Sequence, residues 1–417
     1  MVTFRTSPRD GDATNRGHRS GFALVITIAL LALLVLALYA LTALGRVGND
    51  LSTTGMYQMQ ARQNALLGLQ AALGELQQHA GDDSAITGMA GITGIPAGAG
   101  NPARQWCGVW AGDGRFVRWL VSGQTGPVVA APDGPDTVAL LANGALGADG
   151  TDKEHVRVRV LPIMMTSVEG MPVRHGGFAW WVGDEGVKLS AVIPSADAPV
   201  AAGKHAIDEL VAALSPDSPG LARVEAYAQL AHVPAVPLTP GPLQANLHAL
   251  GLTHAGVVGT SLQSGRLNVN STSARYWRGL GATYNRLNPG EPLAITLTTF
   301  ANRMRDNFVP SMSTGKDAGG PYLSIDAFLD SPLLEAALQG SDVTASAFRG
   351  ALQPWLVVRS DTFRVRAYGD AVNPAEPSRV EALSWCEAIV QRTPIPLTGF
   401  GRQFVIVYFR WLGPDDI

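Results

Sequence analysis

The sequence predicts an α+β protein: a long N-terminal helix, transmembrane and then amphipathic, packed on an antiparallel β-sheet domain with a mostly helical insertion. Three observations predict it. An uncharged apolar stretch near the N-terminus is long enough to cross a bilayer. Leucines beyond it recur at helical spacing, and the rest of the chain alternates strand-like segments with one block of helical texture.

The first element is the apolar stretch. Residues 22–44, with Phe22 at one end and Leu44 at the other, hold 23 residues and no charge. As a helix they would span about 35 Å, enough for a hydrocarbon core of about 30 Å. A basic leader, residues 1–21, precedes them. There Arg5, Arg9, Arg16 and Arg19 outnumber Asp10 and Asp12, a local +2 in a chain of net charge −3. Asp50 is the first acidic group after the stretch. The positive-inside tendency therefore keeps the N-terminus cytoplasmic and puts residues 45–417 outside, a single pass. A cleaved secretory signal is the other reading of such a stretch, with a loose small-residue pattern at Ala40-Leu-Thr-Ala43. Its apolar region would be only 7–15 residues long, however, and its leader shorter.

Helical character continues to residue 80. No proline interrupts residues 46–79, and Leu66, Leu69, Leu73 and Leu76 follow the three–four spacing of one helical face. Gln58, Gln60, Gln63, Gln70, Gln77 and Gln78 supply a polar face. Gly45, Gly48 and Gly55 each weaken a helix by up to about 1 kcal/mol, which favours a bend there. A continuous helix through 22–80 and an anchor followed by a separate amphipathic helix both fit this pattern.

Beyond it, residues 81–104 are rich in Gly, Ala and Pro and read as a loop. Residues 105–199 form a β-rich part, with alternation at 115–121, 155–161, 177–182 and 187–193. Gly183-Asp-Glu-Gly186 reads as the turn of a hairpin joining the last two. Residues 200–350 form the helical insertion, with helical spacing at 206–214, 221–231, 243–250 and 333–338 and a short strand at 267–270. Residues 351–417 return to strand character and close on Phe404-Val-Ile-Val-Tyr-Phe-Arg-Trp411.

Composition bounds the function. With 46% hydrophobic residues the 417-residue chain buries a core, which excludes disorder of the whole. A net charge of −3 excludes nucleic-acid binding by the bulk of the protein. The two cysteines, Cys107 and Cys386, would have an oxidising compartment outside the membrane and could pair there; two independent buried core positions look the same in sequence.

Motifs for chemistry are sparse. There is no Cys-x-x-Cys or His-Glu-x-x-His, and the eight histidines are scattered. Gly279-Leu-Gly281 lacks the third glycine of a dinucleotide fingerprint. Ser313-Thr-Gly-Lys316 matches a Ser-x-x-Lys pattern without its companion motifs. Asp184 and Glu185 read as turn chemistry. Asp149, Asp152 and Glu154 lie on a Gly-containing loop and could offer oxygen ligands to calcium, although the EF-hand pattern is not met. A solvated acidic turn is the simpler account, and no other cofactor is expected.

Arg16-Gly-His-Arg-Ser-Gly21 followed by Phe22-Ala-Leu-Val-Ile26 resembles the class III signal of type IV pilins and pseudopilins. The resemblance covers roughly residues 16–80. It implies that a prepilin peptidase cuts between Gly21 and Phe22, that Phe22 becomes an N-methylated first residue, and that other pilin-like or pseudopilin subunits are the partners. It also implies an inner-membrane location with a periplasmic or extracellular C-terminal domain. Major pilins carry Glu at the fifth mature position, where this chain has Ile26. The departure is similar to minor pilins and to the K-type minor pseudopilin of general secretion, and it implies a tip or initiating subunit. Segments 177–189 and 360–369 resemble K-type and Verrucomicrobial pilin-like proteins. The expected function is a structural subunit of a type IV pilus or type II secretion-like assembly, and not an enzyme. A membrane-anchored extracytoplasmic enzyme or binding protein is the competing reading.

Overall fold

The computed structural model describes residues 17–93, 103–124, 126–127, 132, 134–146, 154–166, 170–190, 247–248, 250–251, 255–264, 266–313 and 321–417. The chain divides into two compact units, Met1–Tyr57 and Gln58–Ile417. One helix, α1 (Gly17–Ala80), contributes to both. It continues through Gly45, Gly48 and Gly55, where the sequence favours a bend. Glycine lowers helix propensity but keeps its N–H, so without a proline no backbone hydrogen bond is lost.

Within the second unit, α1 is the inner layer of a sheet. The buried stripe is Ala61, Ala65, Leu69, Ala72, Leu76 and Ala80, at helical spacing. Leu66 and Leu73, read from the sequence as part of the inner face, only flank it. Small residues let the backbones approach. A Cβ on Gly68 would stand 2.9 Å from the Ala179 carbonyl oxygen, and one on Gly369 only 2.2 Å from the Ala65 nitrogen. The polar face is used as well. Gln60 Nε2 donates to the His175 carbonyl at 2.9 Å, and Asn64 Nδ2 to that of Asp370 at 2.6 Å.

After α1 come β1 (Ile86–Met89), β2 (Cys107–Trp110) and β3 (Phe116–Trp119), an antiparallel trio. The hairpin β4 (Thr137–Leu141) and β5 (Val156–Arg159) brackets the short helix α2 (Asn143–Leu146). The main sheet begins with β6 (Leu161–Thr166) and β7 (Pro172–Asp184). Then follow β8 (Leu189–Ser190), β9 (Leu250–Gly251), the hairpin β10 (Ala255–Val258) and β11 (Ser261–Ser264), and β12 (Leu267–Asn268). Five helices come next: α3 (Ala274–Leu287), α4 (Leu297–Ser313), α5 (Ile325–Leu329), α6 (Pro332–Leu338) and α7 (Ala345–Leu352). Ser273, Ser324, Ser331 and Thr344 cap α3, α5, α6 and α7 by accepting a backbone N–H. The chain closes with β13 (Leu356–Val357), β14 (Thr362–Asn373), β15 (Glu376–Leu397) and β16 (Gly401–Leu412).

The main sheet has the order β16-β15-β14-β7-β6, antiparallel throughout. Its centre is buried on both faces. Trp180, Val182, Phe363, Val365, Ala367 and Ala388 pack with the helix stripe. Ala179, Trp181 and Tyr368 join the opposite core, which runs through Trp119, Trp277, Phe300 and Phe348 into the helices. This is the expected α+β architecture.

Three local expectations fail. Within 81–104, read as a loop, Ile86–Met89 form the buried strand β1 paired with β2. Residues 187–190 do not return beside β7: β8 pairs in parallel with β9, since β14 occupies one side of Phe178–Asp184 and Leu120–Ser122 bond to the other; residues 191–193 lie outside the described residues. In the 243–250 stretch, residues 247–248 are a turn and Leu250 begins β9, so helical spacing misled there. The stretches 206–214 and 221–231 lie outside the described residues.

Candidate functional site

The apolar stretch is the first candidate. In the unit Met1–Tyr57 the side chains from Phe22 to Leu44 are exposed, Phe22 and Leu44 by 70% each, and none of the most apolar window is buried. By length and composition this is a candidate membrane span. Gly21 and Phe22 are consecutive residues near the start of α1.

The predicted polar sites do not come together. Cys107 and Cys386 are free thiols in this structure, both buried beside the α1 stripe. Burial pushes the Cys107 thiol well up and the Cys386 thiol to about 12. Asp149 and Asp152 lie outside the described residues. Glu154 faces Arg275 at 3.8 Å, and its carbonyl accepts a hydrogen bond from His248 Nε2 at 2.7 Å. Among the described residues no three His, Cys, Asp or Glu side chains cluster as metal ligands. Ser313 ends α4, and Lys316 lies outside the described residues.

Asp184 and Glu185 form a turn, but a buried one. Asp184 Oδ1 accepts from the Gly186 N–H at 2.8 Å, and Oδ2 accepts from Thr87 Oγ1 at 3.1 Å. Burial raises the Asp184 carboxyl to about 6 against these hydrogen bonds. Glu185 accepts from Lys188 Nζ and from Arg364 Nε, the latter at 3.0 Å. Burial lowers the Lys188 amine to about 8, partly offset by Glu185. Glu387 receives Arg364 at 3.2 Å, Arg366 at 2.8 Å and Arg410 at 2.9 Å. Burial would raise its carboxyl, yet these guanidiniums hold it well below the usual range.

A second knot joins Asp83 to Arg392 and to Arg402 at 2.8 Å, and Arg392 to Asp361 at 3.2 Å. These side chains hold one another, an arrangement suited to fixing strands and not to turning over a substrate. Sequence reasoning missed both knots. For the first the signal was Arg364 and Arg366 alternating with Phe363, Val365 and Ala367, which reads as an ordinary solvated strand face.

An open groove of about 510 Å³ lies where β16 ends. Gln58 and Arg62 of α1, residues 380–385 of β15, and Trp411, Leu412 and Pro414 line it. The Arg62 guanidinium sits over the Trp411 ring, 5.4 Å from its centroid, a cation–π contact.

No family model matches the chain. No curated protein matches it either. Among solved structures, the chain is similar to a chain of the GspK-GspI-GspJ complex from the enterotoxigenic Escherichia coli Type 2 Secretion System. The identity is 15%, the match covers 61% of this chain and 84% of that one, and the TM-score is 0.33. A likeness of that size carries no argument about function.

Proposed function

We propose that the chain is a pilin- or pseudopilin-like structural subunit of a type IV pilus or type II secretion-like assembly, anchored by one pass in the inner membrane. One observation carries this reading: a single helix, Gly17–Ala80, holds an exposed, uncharged apolar segment and also the inner layer of an antiparallel sheet. A plain tether would need only the first part. An exposed apolar helical surface of this length needs lipid or other apolar helices around it, and an assembling subunit meets both in turn.

In this reading a prepilin peptidase cuts between Gly21 and Phe22, the globular part lies outside the cytoplasm, and sibling pilin-like subunits are the partners. Ile26 supports a tip or initiating place. A buried carboxylate at that position costs about 2.5–3.5 kcal/mol in a membrane unless it is paired, and a subunit without it cannot offer the pairing to a neighbour below. No catalytic role is assigned; the calcium reading of Asp149, Asp152 and Glu154 stays a proposal for a metal titration. Mass spectrometry of the N-terminus tests the function. The expected mature chain begins at methylated Phe22, and Gly21→Lys leaves the leader attached. An intact Met1 in the wild-type protein would favour the anchored enzyme or binding protein instead.

A further inference from the structure

We propose that the groove at the end of β16 is a docking slot for an extended segment of another polypeptide, which continues the sheet beside residues 380–384 and sets a carboxylate on Arg62. The first support is a mismatch of strand lengths. β15 pairs with β14 back to Ser384, Ala382 and Val380, but with β16 only from Trp385, opposite Leu412. Among the described residues, 380–384 therefore have a strand neighbour on one side alone. In an antiparallel ladder alternate residues turn their N–H and C=O away from a given neighbour, so this side presents unpaired backbone groups. Five residues of strand measure about 17 Å.

Among the described residues, none fills that position. After Leu412 the chain turns away into the tight turn Pro414–Asp416, held by the Gly413 N–H on Asp416 Oδ2 at 2.8 Å. Its last residues are tied elsewhere, where the Ile417 carbonyl accepts from the Ala145 N–H at 2.9 Å and that of Asp416 from Arg366 at 3.1 Å. Among the described residues nothing continues β16 along this side, and the groove lies where its extension would run.

The walls describe the occupant. Val380 and Leu383 are exposed apolar side chains at its rim. Arg62 has the Trp411 ring but no carboxylate partner among the described residues, whereas Glu381 is already paired with Arg379 at 3.2 Å. An apolar rim and a cation without a carboxylate partner among the described residues suit an extended peptide carrying an acidic residue between apolar ones, the β-augmentation mode of recognition. This slot does not depend on the pilin-like reading, and its test does not involve the leader.

The test uses the full chain in detergent micelles and a fluorescein-labelled probe, acetyl-Thr-Val-Thr-Asp-Thr-Val-Thr-amide, followed by anisotropy. Two controls replace Asp with Lys or N-methylate alternate backbone nitrogens. The Asp peptide should bind at least tenfold more tightly than either control. Arg62→Lys should retain that order, and Arg62→Glu, at an exposed position, should reverse the Asp-over-Lys preference. Self-association of the chain that the Asp peptide competes away would also support the slot and identify a second copy as occupant. Equal binding of the Asp and Lys peptides, binding indifferent to N-methylation, or no binding of any probe would overturn it.

Discussion

Gly369 faces α1 with no room for a methyl group, and that contact sets how closely helix and sheet approach. A Cβ there would sit 2.2 Å from the Ala65 nitrogen and 2.3 Å from the Ala61 carbonyl oxygen, both backbone atoms that cannot swing aside. Gly369→Ala should therefore destabilise the protein by about 1–3 kcal/mol in denaturant unfolding. Gly74, on the same helix, faces open space, so Gly74→Ala should stabilise by up to about 1 kcal/mol. Two substitutions of one kind thus carry opposite signs. Titration supplies a second opposed pair. Burial lowers the His248 imidazole from 6.5 to about 3, so the stability it contributes is fully present above pH 6.5 and is lost as pH falls through 3. Burial raises Asp184 from 3.8 to about 6, so its contribution is present below 3.8 and is lost as pH rises through 6. In melting curves from pH 7 to 4, His248→Gln should fall less steeply than the wild type. Asp184→Asn should gain stability relative to wild type near pH 7 and lose that gain towards pH 4.

At the scale of elements, local pattern was a good guide wherever the deciding interactions are local. The helical spacing of 333–338 becomes α6, Pro332–Leu338. The closing strand around Phe404–Trp411 declares itself by β-branched and aromatic content. Pairing over distance was not legible. β7 finds β14 across nearly two hundred residues, with Trp180 opposite Ala367. Nothing in 177–193 reveals that this partner will exclude the local hairpin. Arg366 and Glu387 are register partners on adjacent strands, so charges that read as solvated become a buried pair. Gln77 is similar: its amide donates to the Phe400 and Arg402 carbonyls and accepts from the Phe404 N–H, tying α1 to β16 where the sequence shows only a polar face. The groove draws on residues 58–62, 380–385 and 411–414, and no single window could have shown it.

For the whole molecule, the decisive boundary falls inside a helix and not between elements. The second unit begins at Gln58, and its core needs the last turns of α1: Ala61, Ala65, Leu69, Ala72, Leu76 and Ala80 cover Trp180, Val182, Val365, Ala367 and Ala388. The preceding apolar stretch contributes nothing to that core, because its side chains are exposed. A fragment beginning at Gln58 should therefore fold as a water-soluble domain with a cooperative melt and a native near-ultraviolet signal from its buried tryptophans. A fragment beginning at Gly81, only 23 residues shorter, should not. Losing the stripe removes apolar burial on the order of 10 kcal/mol, comparable with the entire stability of a typical domain. It also strips the hydrogen bonds of Gln60, Asn64 and Gln77 from the sheet. Cooperative folding of the shorter fragment would mean that α1 is an appendage to a self-sufficient sheet. That result would remove the physical reason for joining an apolar anchor and an inner-layer helix in one continuous element.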